Sequence, residues 1–203
     1  MTQTAGDPPS VWERSRRMAA REIVDTAIRL FTTQGYEETT TAQIAREAGV
    51  SQRTLFRYFG TKEDLLCGDQ EVLGVLFRKT VEEQPADVST WDALRTAFAA
   101  LLEANRAAGA TITVARLLFE VPTLRAGYVH KRLGWQADLL PIVRERMKIA
   151  GREGAAADHE ARTVIAVSFA CMDVATDTWI ARDGTGDVME LYDQALASTR
   201  TTP

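Results

Sequence analysis

The feature that most narrows what this chain can fold into is a turn of three residues, Gly49-Val50-Ser51, set between two short runs with helical spacing. Thr40 or Thr41 opens the first run, its apolar residues Ile44, Ala45 and Ala48 share one side, and Gly49 closes it as a helix C-terminus is closed. Ser51 is placed to cap the second run, which extends through Phe59. Two short helices at this separation make a helix-turn-helix, the arrangement that offers its second helix to the major groove of DNA. Ala45 lets the helices cross closely, Gly49 permits the left-handed turn, and Val50 fills the space between them. The alternative, two core helices joined by a tight turn, calls for apolar residues at most positions of the second helix. That helix carries Gln52, Arg53, Thr54, Arg57 and Tyr58 instead, with only Leu55 and Phe59 clearly inward. Long donors and a phenol on one outward side are what phosphates and base edges require.

The remaining sequence reads as helices, without the strict alternation that marks half-buried strands. Ala19, Ile23, Ala27, Leu30 and Phe31 place a helix over about 10–34, ended by Gly35. Thr61 with Asp64 resembles a capping box and opens a longer helix through residue 82, carrying Leu65, Leu66, Val72, Leu73 and Leu76. A linker with Pro85 follows. The pattern restarts at Ser89 with Asp92 in the first turn and Leu94, Phe98, Leu101 and Leu102 as a buried stripe. A shorter helix covers 111–121, and after Pro122 a long amphipathic run carries Leu124, Tyr128, Trp135, Leu139, Ile142 and Met147. Pro141 inside that run predicts a kink or a helix restart. Asp158 is placed to cap a helix through Ile180, apolar most of the way round, and Asp187 with Glu190 opens a last one through Leu196. The expected fold is therefore all-α. The expected domains are 10–60, with the helix-turn-helix, and 61–200, with the helix over 61–82 connecting them.

Charge sharpens this division. The chain carries a formal net charge of -4, yet residues 1–60 hold eight Lys and Arg against seven Asp and Glu, and 61–203 hold 16 against 21. Arg14, Arg16, Arg17 and Arg21 cluster in one short segment. An acidic body with a locally basic head suits a protein that touches an anion at one end only. The two cysteines, Cys67 and Cys171, stand apart from each other and from any metal-ligand spacing, so neither a disulfide framework nor a metal site is expected. The uncharged apolar stretches, such as 163–172, end well short of the ~18 to 20 residues that span a bilayer. The first ten residues lack the pattern of a secretory signal, and the expected location is cytoplasmic, with no membrane partner. No nucleophilic set and no phosphate-cradling glycine loop accompanies the two histidines, His130 and His159, so an enzyme is not expected and no cofactor is implied.

The stretch from Arg14 to Leu66, with LFTTQGY, TTTAQIAREAGVS, RTLFRYF and TKEDLL, resembles the DNA-binding domain of the TetR family of bacterial transcriptional regulators. The resemblance implies a homodimeric, all-helical repressor: an N-terminal three-helix reader of double-stranded operator DNA, joined to a larger C-terminal domain that binds a small-molecule effector and dimerises. It implies phosphate contacts from Thr41, Tyr58 and Lys62, and places Gln52, Arg53 and Thr54 on the base-facing turn, Arg53 toward a guanine. Phe56 stands where the family commonly has tyrosine and is left to pack or to touch a thymine methyl. Arg57 is either a compensating charge or a solvated arginine. The stretch RTLFRYFGTKEDLLCGD is also similar to regulators associated with redox-cofactor and acyl-CoA metabolism, which names no ligand here.

The C-terminal two thirds carry no motif for a ligand. Phe98, Leu102, His130, Trp135, Met172 and Trp179 are candidates to line a largely apolar effector pocket, the alternative for each being ordinary core or, for His130, surface. Asp173 and Asp177, one helical turn apart, face a cation, solvent or a dimer contact. The last two helices are the candidate dimer contact, with Phe169 and Leu191 as its test positions. Two other classes stay open, a regulator without an effector and a small-molecule binder without DNA function.

Overall fold

The computed structural model describes residues 11–67 and 70–199, and among these every regular element is a helix. The chain divides into two compact units, Met1–Leu66 and Cys67–Pro203. The first holds α1 (Val11–Gln34), α2 (Thr41–Glu47) and α3 (Gln52–Tyr58), and at its end begins α4 (Asp64–Cys67). The second holds α5 (Gln70–Glu82), α6 (Thr90–Ala107), α7 (Ile112–Glu120), α8 (Pro122–Ile149), α9 (Ala155–Ala181) and α10 (Val188–Ser198). Where the sequence led us to expect one helix over 61–82, two helical segments are described, with residues 68 and 69 outside the description.

Helix boundaries follow the capping chemistry with two corrections. The Thr61 capping box forms: Asp64 N–H donates to Thr61 Oγ1 at 3.2 Å, and Thr61 N–H donates back to Asp64 Oδ2 at 3.0 Å. Ser89 likewise accepts from Asp92 N–H at 3.1 Å. Asp158, however, does not cap α9. That helix begins three residues earlier behind Gly154, whose φ of 87° suits glycine, and the Asp158 carboxylate is drawn to Arg162 and Arg144 instead. Hydrogen bonds from those two arginines hold its carboxyl below the usual range. Pro141 does not restart α8, which continues through it from Pro122 to Ile149. Proline removes one ladder donor, and the carbonyl left without it belongs to Ala137, which is exposed to water.

The core of the second unit is aromatic. Phe98 lies 4.8 Å from Phe77, 5.1 Å from Phe169 and 5.6 Å from Tyr192, ring centre to ring centre. Each ring is essentially inaccessible, and burying a side chain of this size contributes ~1.5 to 3 kcal/mol. Several of the residues named from the sequence lie in or against this core. Phe98 and Met172 are core, and Trp135 stacks on Phe77 at 6.1 Å. Leu102 and Trp179 pack against the same core, while His130 is exposed. Phe169, at 1% exposure, and Leu191, at 7%, are covered by their own chain. A hollow of about 450 Å³ does open on this unit, but its wall is Arg116, Phe119, Glu120, Asp177, Ile180, Ala181 and Asp183, so none of the six expected pocket residues borders it.

Asp173 and Asp177 face α8: Asp173 pairs with Arg132, and Asp177 lies 4.0 Å from Arg125. Arg132 is buried, so its pair with Asp173 is shielded from salt in a way that surface pairs are not. The Pro85 linker is also held. Arg146 of α8 donates to the carbonyls of Gln84 at 2.8 Å, Pro85 at 3.0 Å and Val88 at 2.8 Å. Of the described helices, α9 alone is long and apolar enough to cross a membrane, with a mean hydropathy of 1.4 over its most apolar window. Ala161, Val164, Ile165, Ser168, Phe169, Cys171, Met172 and Ala175 are buried along it, which makes it the central helix of the unit's core.

Candidate nucleic-acid interface

The reader is built on α1. Ile23, Ala27, Leu30 and Phe31 are buried along one side of it, as are Ile44 and Ala45 of α2 and Leu55 of α3. Between α2 and α3 the chain closes in a Schellman motif. Val50 N–H donates to Ala45 O at 2.9 Å and Gly49 N–H to Arg46 O at 3.2 Å, with Gly49 at φ 67°. The cap of α2 is Thr40, which accepts from Gln43 N–H at 3.1 Å, and so Thr41 is the first helical residue. Ser51 Oγ accepts from Thr54 N–H at 3.0 Å and lies 2.8 Å from the Thr54 hydroxyl. These bonds satisfy backbone donors at both helix starts and fix the angle at which α3 leaves the turn.

The result is a helix with one buried side and one bare side. Leu55 is fully buried, whereas Gln52, Arg53, Phe56 and Arg57 are exposed and Thr54 and Tyr58 are half-buried. Phe56 is 46% exposed, a large apolar ring left in water, which suits contact with a thymine methyl. Gln52 Nε2 donates to Thr41 Oγ1 at 3.2 Å, so a residue of α2 steers the first side chain of α3. Thr54 spends its hydroxyl on the Ser51 cap. Arg53 and Arg57 make no ion pair among the described residues, unlike Arg29, which is paired with Glu47 at 2.7 Å.

Lys62 is engaged within its own unit. Its ammonium donates to Tyr36 O at 2.8 Å and Thr39 O at 3.2 Å and sits 3.8 Å from the centre of the Tyr36 ring. The Tyr36 hydroxyl in turn donates to Glu63 Oε1 at 2.7 Å. Partial burial works against the Glu63 carboxylate, yet the bond from Tyr36 and the neighbouring donors outweigh it and hold its pKa below the usual value. An ammonium has three donors, so one is left to Lys62 for an outside acceptor. Sequence reasoning missed Tyr36 and Thr39 as partners of Lys62, and Glu63 as the partner of Tyr36. Only the fold brings residues 23 to 27 positions apart together.

A three-helix unit with a capped turn and a bare, donor-rich second helix defines a helix-turn-helix DNA-binding protein. Comparison with known proteins gives the same class. Residues 23–67 match the family of bacterial regulatory proteins of the TetR type, and residues 88–202 match the MftR C-terminal domain. Over 211 aligned positions, covering 98% of this chain and 90% of its relative, the sequence is 30% identical to the HTH-type transcriptional regulator TcmR of Streptomyces glaucescens. It is 29% identical to the regulator MftR of Mycobacterium tuberculosis over 66% of this chain and 68% of that one. The fold is also that of the transcriptional regulator FadR of Bacillus subtilis, solved with stearoyl-CoA: TM-score 0.56 at 21% identity, covering 87% of this chain and 95% of that chain. The chain belongs to the TetR family of bacterial transcriptional regulators, with a C-terminal domain of the MftR type.

Proposed function

We propose that this DNA-binding regulator works as a homodimeric repressor, reading its operator through Gln52, Arg53 and Phe56 and leaving it when a small molecule binds the second unit. The observation that carries the reading is the bare side of α3, where four large side chains stand exposed on a helix whose Leu55 is fully buried. Tyr58, Thr41, Arg57 and the remaining donor of Lys62 serve the phosphates. Selection of bound duplexes from a random DNA pool tests it. A two-fold symmetric consensus is expected, with half-sites about one duplex turn apart. Arg53→Ala should cost ~1 to 3 kcal/mol on the selected duplex and relax preference at one position of each half-site. Failure to enrich any sequence would overturn the reading.

The dimer we propose uses the outward row of α9, where Ala166, Ala170, Val174 and Ala181 are exposed at helical spacing. Val174 is 55% exposed, and a two-fold axis would cover in two copies a row of small apolar side chains, interrupted by Asp177, that one copy leaves wet. For the effector we propose a molecule with an apolar body. Solved regulators of this fold hold stearoyl-CoA, in FadR, and triclosan, in SmeT, the latter at TM-score 0.54 and 18% identity. A ligand releases DNA only through unequal affinity for the DNA-competent and DNA-free conformers. Stearoyl-CoA and triclosan are therefore first probes: one that raises the melting temperature of the free protein should also lower its affinity for the selected duplex.

A further inference from the structure

The arginine cluster at the start of α1 is not used by the recognition helix, and the structure brings one of its members, Arg16, to the end of α3. Ile23, Ala27 and Leu30 mark the inner side of α1, and Arg16 lies seven residues before Ile23, two helical turns back on that same side. Among the described residues, no side chain of α1 before Ile23 is buried. The inward-directed position carries an exposed guanidinium, which reaches the end of α3 and sits 5.8 Å from the centre of the Tyr58 ring. Arg57 approaches the same ring at 5.7 Å. Two cations thus share one phenol, and among the described residues no carboxylate pairs with either of them. In the second unit most of the described arginines pair with an acid, as Arg78, Arg95, Arg132 and Arg144 do.

Two guanidinium groups set around one phenol without an acid make a surface for external anions. The planar fork of each matches the oxygens of a phosphodiester, and the ring they share limits their freedom before an anion arrives. We propose that Arg16 is a DNA-backbone contact: it neutralises a phosphate next to the one served by Arg57 and the Tyr58 hydroxyl, extending the contact from α3 to α1. This rests on the DNA-binding reading of α3 and adds a contact from outside the helix-turn-helix. The contact is sequence-independent and charge-driven, so it sets the salt dependence of binding and leaves the consensus alone.

The test is fluorescence anisotropy on the duplex selected by the unmodified chain and on an unrelated duplex of equal length, from 50 to 200 mM KCl. For Arg16→Ala the slope of log affinity against log salt should shrink by about 0.9 per chain, or about 1.8 for a dimer gripping two phosphates. The advantage of the unmodified protein over the variant should then fall roughly tenfold across that range for the dimer, and equally on both duplexes. Arg16→Lys keeps the charge and should keep the slope. Arg16→Gln serves if the alanine variant does not fold, with an unchanged melting temperature as its check. An unchanged slope in folded Arg16→Ala or Arg16→Gln overturns the proposal even if affinity drops, because Arg16 would then act only by packing on Tyr58. A change confined to the selected duplex overturns it too. Should the unmodified chain select no duplex at all, the reading of α3 fails first and is recognised separately.

Discussion

Arg53 and Lys62 were both expected at the DNA, and their surroundings separate what each does. Arg53 is exposed, with no ion pair among the described residues, so its removal should touch binding alone. Lys62 ties the start of α4 to the segment between α1 and α2 through two carbonyls and the Tyr36 ring. Hydrogen bonds from a charged donor contribute roughly 1.5 to 3 kcal/mol each when partly shielded from water. Lys62→Ala should therefore lower the melting temperature of the free protein and weaken binding to every duplex, while Arg53→Ala should leave the melting temperature unchanged. Thermal denaturation of both variants checks this, and equal melting temperatures would show that the Lys62 contacts carry no stability. The residue types at 53 and 62 were legible from the motif. The partners of Lys62 were not, because spacing along a chain does not report which carbonyls a loop turns inward.

At the scale of elements, the close approach of α5 and α8 rests on one glycine. Gly74 is buried in α5, and a Cβ added there would stand 2.8 Å from Trp135 Nε1 and 3.3 Å from Trp135 Cδ1. Elsewhere in a helix, alanine in place of glycine gains about 1 kcal/mol of propensity. Here the indole, already stacked on Phe77, has to move as a rigid plate, and overpacking of this kind costs ~1 to 3 kcal/mol. We expect Gly74→Ala to be destabilising, by up to about 2 kcal/mol in urea denaturation. A stabilised variant would mean that the two helices separate easily at this point. Caps were the part of element structure that sequence conveyed best: Ser51, Ser89 and the Thr61 box all form. They depend on neighbours three residues away. The start of α9 was misjudged because Asp158 has a longer-range use, the pair with Arg144.

For the whole molecule the decisive question is which apolar residues face their own core and which face outward. Phe169 and Val174 both lie on α9, yet Phe169 is 1% exposed and Val174 is 55% exposed. If the dimer we propose through α9 forms, Val174→Glu should leave the folded chain intact and shift it from dimer to monomer in sedimentation, with a loss of DNA affinity, since a single reader is left with one half-site. Phe169→Ala should instead unfold the chain at lower denaturant, by ~3 to 5 kcal/mol, through the cavity it leaves among Phe77, Phe98 and Arg132. A Val174→Glu variant still dimeric would remove α9 from the interface.

The sequence by itself determined the helical class, the turn at Gly49 and the bare side of α3. Each of these is local, carried by periodicity, capping residues and backbone freedom within a few positions. Tertiary structure alone decided that Phe98 and Phe169 serve the core, that Lys62 is shared with a loop, and that Arg16 reaches Tyr58. An apolar or cationic side chain is defined chemically by its own atoms, but its use depends on what the folded chain brings within reach of it.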